Sequence, residues 1–282
     1  MKCRVVIADP AKNITAFVYD SLNLSIAQAL LKVDFIHTSG TDLDILKEKH
    51  IEQVGFIHAS GTHLDMMGGE FCANAARSFG LLVARERAIV GNGTVRITVS
   101  GSAAPLDVFV HSEKNYAAVR IPGPKAKTIL TFDGAPLPVY HFDGISHIIA
   151  PNISATSEHV LMIKASFVQQ QLPVPALGVL FYDEKRDFLE PAVMVFDTNS
   201  VVFESSCGSG SAAFGVWRAE TVREARISYA VVQPGGTIEV TVIKHNNKVQ
   251  SIDIGGTVLL SPVIDFELHT TVSGSEEGHR VL

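Results

Sequence analysis

Cysteine is scarce in this chain: Cys3, Cys72 and Cys207 are the only three in 282 residues. So small and odd a number argues against the disulfide framework of a small secreted domain, and the lack of a Cys-X-X-Cys pair argues against structural zinc. Long apolar runs are missing too. None reaches the roughly 18 residues of a membrane span, and the opening MKCRVVIADPAKN turns polar before building a signal-like stretch. A cytoplasmic protein with no membrane partner is expected. Basic residues are outnumbered, 23 Lys and Arg against 29 Asp and Glu, and the formal charge of -6 leaves little for a nucleic-acid-binding surface. What is there is a folding composition, 46% hydrophobic and 18% charged, which points to one large or two medium domains with a small-molecule partner. A homodimer is an open assembly state.

The chain carries a long internal repeat. CANAARSFG, from Cys72 to Gly80, is matched by CGSGSAAFG, from Cys207 to Gly215, starting 135 residues later. Downstream of each, GTVRITV (Gly93–Val99) is echoed by GTIEVTV (Gly236–Val242). Two echoes in one order indicate two mixed halves built alike. After each cysteine, AARSFGLLVARERA and SAAFGVWRAETVREA place apolar residues three and four apart, predicting helices that begin at or just after the thiols. The two GT segments alternate in period two and predict half-buried antiparallel strands. Further strands are expected over Cys3–Ile7, Thr15–Tyr19, Val54–His58, Leu106–Val110, Tyr116–Ile121, His147–Ala150, Ala176–Tyr182, Ala192–Phe196 and Val249–Ile254. Ile121–Ile129, IPGPKAKTI, reads as a linker between the halves. The division expected is 1–123 with Cys72, 124–264 with Cys207, and 265–282 returning to complete the first half, with a frayed tail after Ser273.

Inverting an amino acid's α-carbon needs a base on one face and an acid on the other. One cysteine as thiolate and one as thiol meet that need and exchange roles at each turnover. A helix N-terminus is expected to lower a thiol's pKa, and it supplies unpaired backbone N–H groups for the substrate carboxylate. Those of Ala73 and Asn74 on one side, and of Gly208, Ser209 and Gly210 on the other, are the candidates. A lone cysteine is more often a packing residue; the duplication shifts the balance toward chemistry for Cys72 and Cys207, while Cys3 reads as a strand residue. The reaction so read needs no cofactor and no metal.

At these residues the sequence resembles the diaminopimelate epimerase superfamily. EFCANAAR (Glu70–Arg77) and SSCGSGSAA (Ser205–Ala213) are similar to its two cysteine motifs. DPAKNITAF (Asp9–Phe17) resembles its N-terminal turn with a substrate-facing asparagine, here Asn13, and GISHIIA (Gly144–Ala150) resembles its Gly-Asn-Pro-His strand. The resemblance implies an α+β fold of two pseudo-symmetric domains, each a curled, mostly antiparallel sheet around a central helix, with the site in the cleft between them. The departures bear on the substrate. Thr198, Asn199 and Ser200 stand where the family carries a Glu-Arg-Gly triplet for the distal end of diaminopimelate, and Ile145 and His63 stand where it has asparagines. MGGEFCANAAR and FESSCGSGS look closer to the superfamily's histidine racemases, including those that supply D-histidine to opine metallophore synthesis. Histidine is therefore the expected substrate. Glu70 and Glu204 are candidates to contact its amino or imidazole group, with helix support as their alternative role; Asn74 is a candidate donor to the carboxylate.

Diaminopimelate epimerase, or a racemase of another amino acid, is the nearest alternative. A pyridoxal-phosphate racemase would need a Schiff-base lysine and a phosphate cradle, which no lysine's surroundings suggest. An isomerase of the superfamily that works without the cysteines, and a non-catalytic amino-acid-binding protein, would have no use for both thiols. Lesser signals read blandly: GNGTVR, from Gly91, as a hairpin turn; Arg77, Arg85, Glu86 and Arg87 as a solvated helix face; His58 and His63 in HASGTH as ordinary strand or surface histidines, since a spacing of five matches no compact zinc motif.

Overall fold

The computed structural model describes residues 2–31, 36–37, 50–170, 174–196 and 200–268. The fold is α+β and dominated by sheet, with nineteen strands and four α-helices among the described residues. No helix among them is long and apolar enough to cross a membrane.

In the first half, β1 (Lys2–Asp9), β2 (Thr15–Val18), α1 (Leu24–Leu31), β3 (Ile36–His37), β4 (Gln53–Ile57), β5 (His63–Met66), α2 (Ala73–Glu86), β6 (Asn92–Val99), β7 (Leu106–His111) and β8 (Tyr116–Pro122) follow in order. The second half holds β9 (Ala126–Phe132), β10 (Ala135–His141), β11 (Ile145–Pro151), α3 (Ser157–Gln170), β12 (Ala176–Asp183), β13 (Phe188–Val195), β14 (Ser200–Phe203), α4 (Gly208–Ala219), β15 (Arg226–Gln233), β16 (Gly236–His245) and β17 (Lys248–Thr257). Last come β18 (Leu259–Leu260) and β19 (Ile264–Leu268), which pair with β1.

The pairing senses recur. Along β1-β2-β4-β5-β6-β7-β8 the ladders run antiparallel, parallel, antiparallel, parallel, antiparallel, antiparallel. The same succession runs along β10-β11-β12-β13-β15-β16-β17. Parallel neighbours need a crossover, and the helices lie in those connections: α1 and α2 in the first series, α3 and α4 in the second. Antiparallel pairing of β8 with β17, Tyr116 opposite Thr257 through Pro122 opposite Ser251, joins the two series.

Strand faces follow the sequence alternation. In β6, Val95, Ile97 and Val99 are buried while Thr94 and Arg96 are exposed. Both cysteine-led helices are instead buried nearly all round, which explains their small residues: a helix enclosed by sheet needs close approach on several sides. One core cluster wraps both of them, uniting Phe79 and Val108 with Phe214 and Val240. A second lies under α1 around Phe56 and Leu30, and a third under α3 around Phe167 and Val179.

Several expectations need correction. IPGPKAKTI is no open linker: β8 continues to Pro122 and β9 begins at Ala126. The second cysteine helix ends at Ala219, six residues short of Ala225. Gly91, with φ of 71°, turns the chain from α2 into β6, so GNGTVR is a helix-to-strand connection and not a hairpin. Arg77 is fully buried and does not belong to a solvated face, whereas Arg85, Glu86 and Arg87 are exposed. The tail after Ser273, with Thr198 and Asn199, lies outside the described residues.

Candidate active site

Cys72 and Cys207 are the N-cap residues of α2 and α4, with φ and ψ of -122° and 115° in one and -121° and 114° in the other. An extended residue in this position ends the incoming segment and opens the helix, leaving the first-turn N–H groups without intrahelical partners. Each carbonyl accepts the N–H four residues on, from Ala76 and Ser211, at 2.9 Å. The helix starts abut: a Cβ on Gly208 would lie 3.0 Å from Ala73 Cβ and 3.5 Å from the Asn74 backbone nitrogen. A side chain at Gly208 would crowd Ala73 Cβ, so glycine keeps the two helix starts in close approach.

Around this junction the sequence candidates separate into those drawn together and those left aside. Asn13 is buried, and its Oδ1 accepts from Gln53 Nε2 at 2.8 Å and Asn74 Nδ2 at 3.3 Å while facing the Cys72 thiol at 3.9 Å. Its Nδ2 donates to Glu52 Oε2 at 2.7 Å. Asn74 Nδ2 also approaches Ser206 Oγ at 3.4 Å, and Asn74 Oδ1 accepts from Arg77 Nε at 3.1 Å. The Asn74 amide is thus engaged with protein groups, and its backbone N–H is the donor directed to the junction by the helix start. Ser209 Oγ lies 3.7 Å from Cys207 Sγ and 2.9 Å from His147 Nε2. Gly210 packs on the thiol, where a Cβ would stand 3.2 Å from Sγ. Glu70 is exposed before α2, its carbonyl accepting from Ser100 Oγ at 3.0 Å.

The electrostatics differ from expectation. Burial pushes the Cys72 thiol up to about 11, outweighing the lowering by the Ala75 N–H that donates to its sulfur at 3.4 Å. Burial, then the Glu204 carboxylate, raises Cys207 further. The helix N-termini therefore do not lower these thiols below their ordinary value; desolvation wins. Glu204 is itself raised, chiefly by burial, to about 7, against a hydrogen bond from Cys207. Its charge acts on both cysteines. His147, fully buried with its Nδ1 unpartnered among the described residues, is held neutral by burial, with a pKa lowered to about 3.

Sequence reading assigned no role to Glu52, Gln53, His147, Ser206, Gln233 or Arg77. Gln233 Oε1 accepts the Cys207 N–H at 2.9 Å and its Nε2 donates to Ser211 Oγ at 2.8 Å, fixing the start of α4. Arg77 spans the halves, donating to Gly256 O at 2.9 Å. Arg77, His147 and Ser206 lie within the motifs that resemble the superfamily, the one available signal; Glu52, Gln53 and Gln233 lie outside them. A groove of about 530 Å³ that includes Phe109, Tyr116, Arg120 and Glu239 lies elsewhere, on the sheet face opposite that packed on α2. Its polar groups are already matched, Arg120 with Asp253 at 2.6 Å and Tyr116 with Glu239 at 3.0 Å, so the cysteine junction is the better candidate. The buried Lys244 is committed to carbonyls of Ala219 and Val222 at the end of α4.

Comparison with known proteins covers most of the chain. The family model described as "Histidine racemase CntK N-terminal domain" matches residues 3–262. A histidine racemase of Fusobacterium nucleatum subsp. nucleatum is 34% identical over 244 residues, covering 82% of this chain and 86% of that one. Among solved structures, a phenazine biosynthesis protein PhzF family member from Enterococcus faecalis aligns over 95% of this chain and 100% of its own, at a TM-score of 0.56 and 16% identity. A hydroxyproline epimerase from Agrobacterium vitis with bound trans-4-hydroxy-L-proline aligns over 94% and 90%, at 0.58 and 9%.

Proposed function

The chain belongs to the histidine racemase family and is an amino-acid racemase, an isomerase; from that premise we propose that it racemises histidine with Cys72 and Cys207 as its acid–base pair. The observation that carries this is the pair of abutting helix starts, each led by a cysteine in the same backbone conformation.

In the proposed mechanism the carboxylate enters between the two helix N-termini, where the N–H groups of Ala73, Asn74, Gly208, Ser209 and Gly210 stabilise the charge that gathers on it as the α-proton leaves. One thiolate takes that proton and becomes a thiol. The opposite thiol delivers its own proton to the other face and becomes a thiolate. The proton count is unchanged and the two sulfurs have exchanged states, ready for the opposite enantiomer. Since burial holds both thiols protonated at neutral pH, one must first be discharged; Glu204, beside Cys207 and raised to about 7, is the base suited to receive that proton. Glu70, at the exposed approach to α2, is assigned to the substrate's amino or imidazole group. Asn13 sets the Cys72 side of the site.

The recurring pairing senses support two pseudo-symmetric domains, 1–123 with Cys72 and 124–264 with Cys207, meeting at the cysteine junction. The described part of 265–282 supports the return, because β19 pairs with β1; β18 shows the chain already back on that strand by Leu259.

Incubating the protein with L-histidine in heavy water should yield D-histidine labelled at the α-carbon, and Cys72→Ser or Cys207→Ser should each abolish racemisation. Unchanged turnover in either variant would refute the two-thiol mechanism. Faster turnover of another amino acid or of diaminopimelate in the same assay would overturn histidine as the substrate.

A further inference from the structure

HASGTH joins β4 to β5, and folding brings its two histidines together. The His58 N–H donates to His63 O at 3.0 Å, so the residues face each other across the hairpin. Asp65 follows two residues after His63 on the same strand face. His58 Nε2 lies 2.5 Å from Asp65 Oδ2 and His63 Nε2 3.1 Å from Asp65 Oδ1. The two imidazoles meet edge to face with centroids 4.4 Å apart. One ligand atom from each of the three side chains can be chosen so that all lie within 4.8 Å of one another. Thr98 Oγ1, from β6, lies 2.6 Å from His63 Nδ1 and orients that ring with Nε2 toward the cluster.

We propose that His58, His63 and Asp65 form a binding site for a divalent transition-metal ion, separate from the racemase chemistry. Among the described residues, none of the three shares a hydrogen bond with the groups around Cys72 and Cys207. Two imidazoles and a carboxylate suit zinc, cobalt, nickel or copper; magnesium and calcium prefer all-oxygen sets. Metal–nitrogen and metal–oxygen bonds of about 2.0–2.2 Å require His58 Nε2 and Asp65 Oδ2, now 2.5 Å apart, to spread. The side chains are 44%, 35% and 29% exposed, leaving room for water to complete the coordination. The Thr98 contact on the far ring nitrogen is the outer support that a metal-bound imidazole requires. The ion would tie the β4–β5 turn to β6.

The test is titration of the chelator-stripped, reduced full chain with Co²⁺, read by its visible d–d absorption. One equivalent should saturate. His58→Ala and Asp65→Asn should each weaken binding at least about tenfold, and Thr98→Val by about tenfold through loss of the outer support; far-ultraviolet dichroism of the metal-free variants checks that they remain folded. Three results would overturn the proposal: no saturable binding, binding unchanged in folded His58→Ala and Asp65→Asn variants, or a thiolate-to-cobalt charge-transfer band that disappears in Cys72→Ser or Cys207→Ser, which would place the ion on the cysteines. Racemisation that depends on the added ion would overturn the separation from catalysis.

Discussion

At Glu204 the fate of one proton links the two thiols. Its deprotonated fraction rises as pH passes through about 7, so the rate of racemisation should climb across that range in the wild type. Glu204→Gln should lower kcat/KM by roughly 10²–10⁴-fold, the usual weight of a general base, and remove that limb of the profile. An unaltered profile would show that another group discharges the thiol. His147 gives the opposite kind of pH dependence. Its folded pKa of about 3 lies below the ordinary 6.5, so the unfolded chain takes up a proton first as the solution is acidified. The native state therefore loses stability as pH falls from 6.5 toward 3, by up to about 1.4 kcal/mol per pH unit within that window. His147→Gln should flatten this dependence in denaturant titrations at stepped pH; the same slope in the variant would assign it to other groups. The two cysteines were legible because the chain repeats them in matching surroundings. Arg77 was not: an arginine among helix formers reads as solvated unless the helix is known to be enclosed by sheet. Glu52, Gln53 and Gln233 were hidden for a related reason, since Gln53 and Gln233 reach the site from the strands β4 and β15 and Glu52 from the residue just before β4.

Within the elements, α2 depends on a glycine for its distance from the sheet. A Cβ at Gly80 would lie 2.5, 2.6 and 2.7 Å from three atoms of Val108, a β-branched side chain with little rotameric escape. Alanine would gain about 1 kcal/mol of helix propensity, but overpacking costs about 1–3 kcal/mol. Gly80→Ala should therefore destabilise by up to about 2 kcal/mol in chemical denaturation, with part of the loss recovered in Gly80→Ala/Val108→Ala. Gly215→Ala meets only one atom of Val240 inside 3.0 Å, at 2.6 Å, and should cost less. A larger loss at Gly215 would contradict the packing argument. Both helix starts and most central strands could be read from periodicity. Helix α3 could not, because exposed Leu161, Met162 and Val168 blur the buried stripe of Val160, Ile163 and Phe167. Ala126–Ile129, the first part of β9, reads as linker through its Pro- and Gly-rich approach, and only pairing with β10 makes it strand.

Across the whole molecule, one apolar cluster contains residues of both halves, and seven residue pairs join β8 to β17. The halves should unfold together. Calorimetry should record a single transition with matching calorimetric and van't Hoff enthalpies, whereas two resolved transitions would show that the shared cluster does not couple them. The recurring order of pairing senses accords with two short sequence echoes, but the way the ends close was not readable, because β18 and β19 meet β1 from the far end of the described residues. Those last strands have a consequence for biosynthesis. Lys2 pairs with Glu267 and Val5 with Ile264, so the first strand waits for a partner that is translated some 260 positions after it. The earlier-made half emerges first yet holds an unfilled sheet edge until Ile264–Leu268 has been made, and its structure is completed only then.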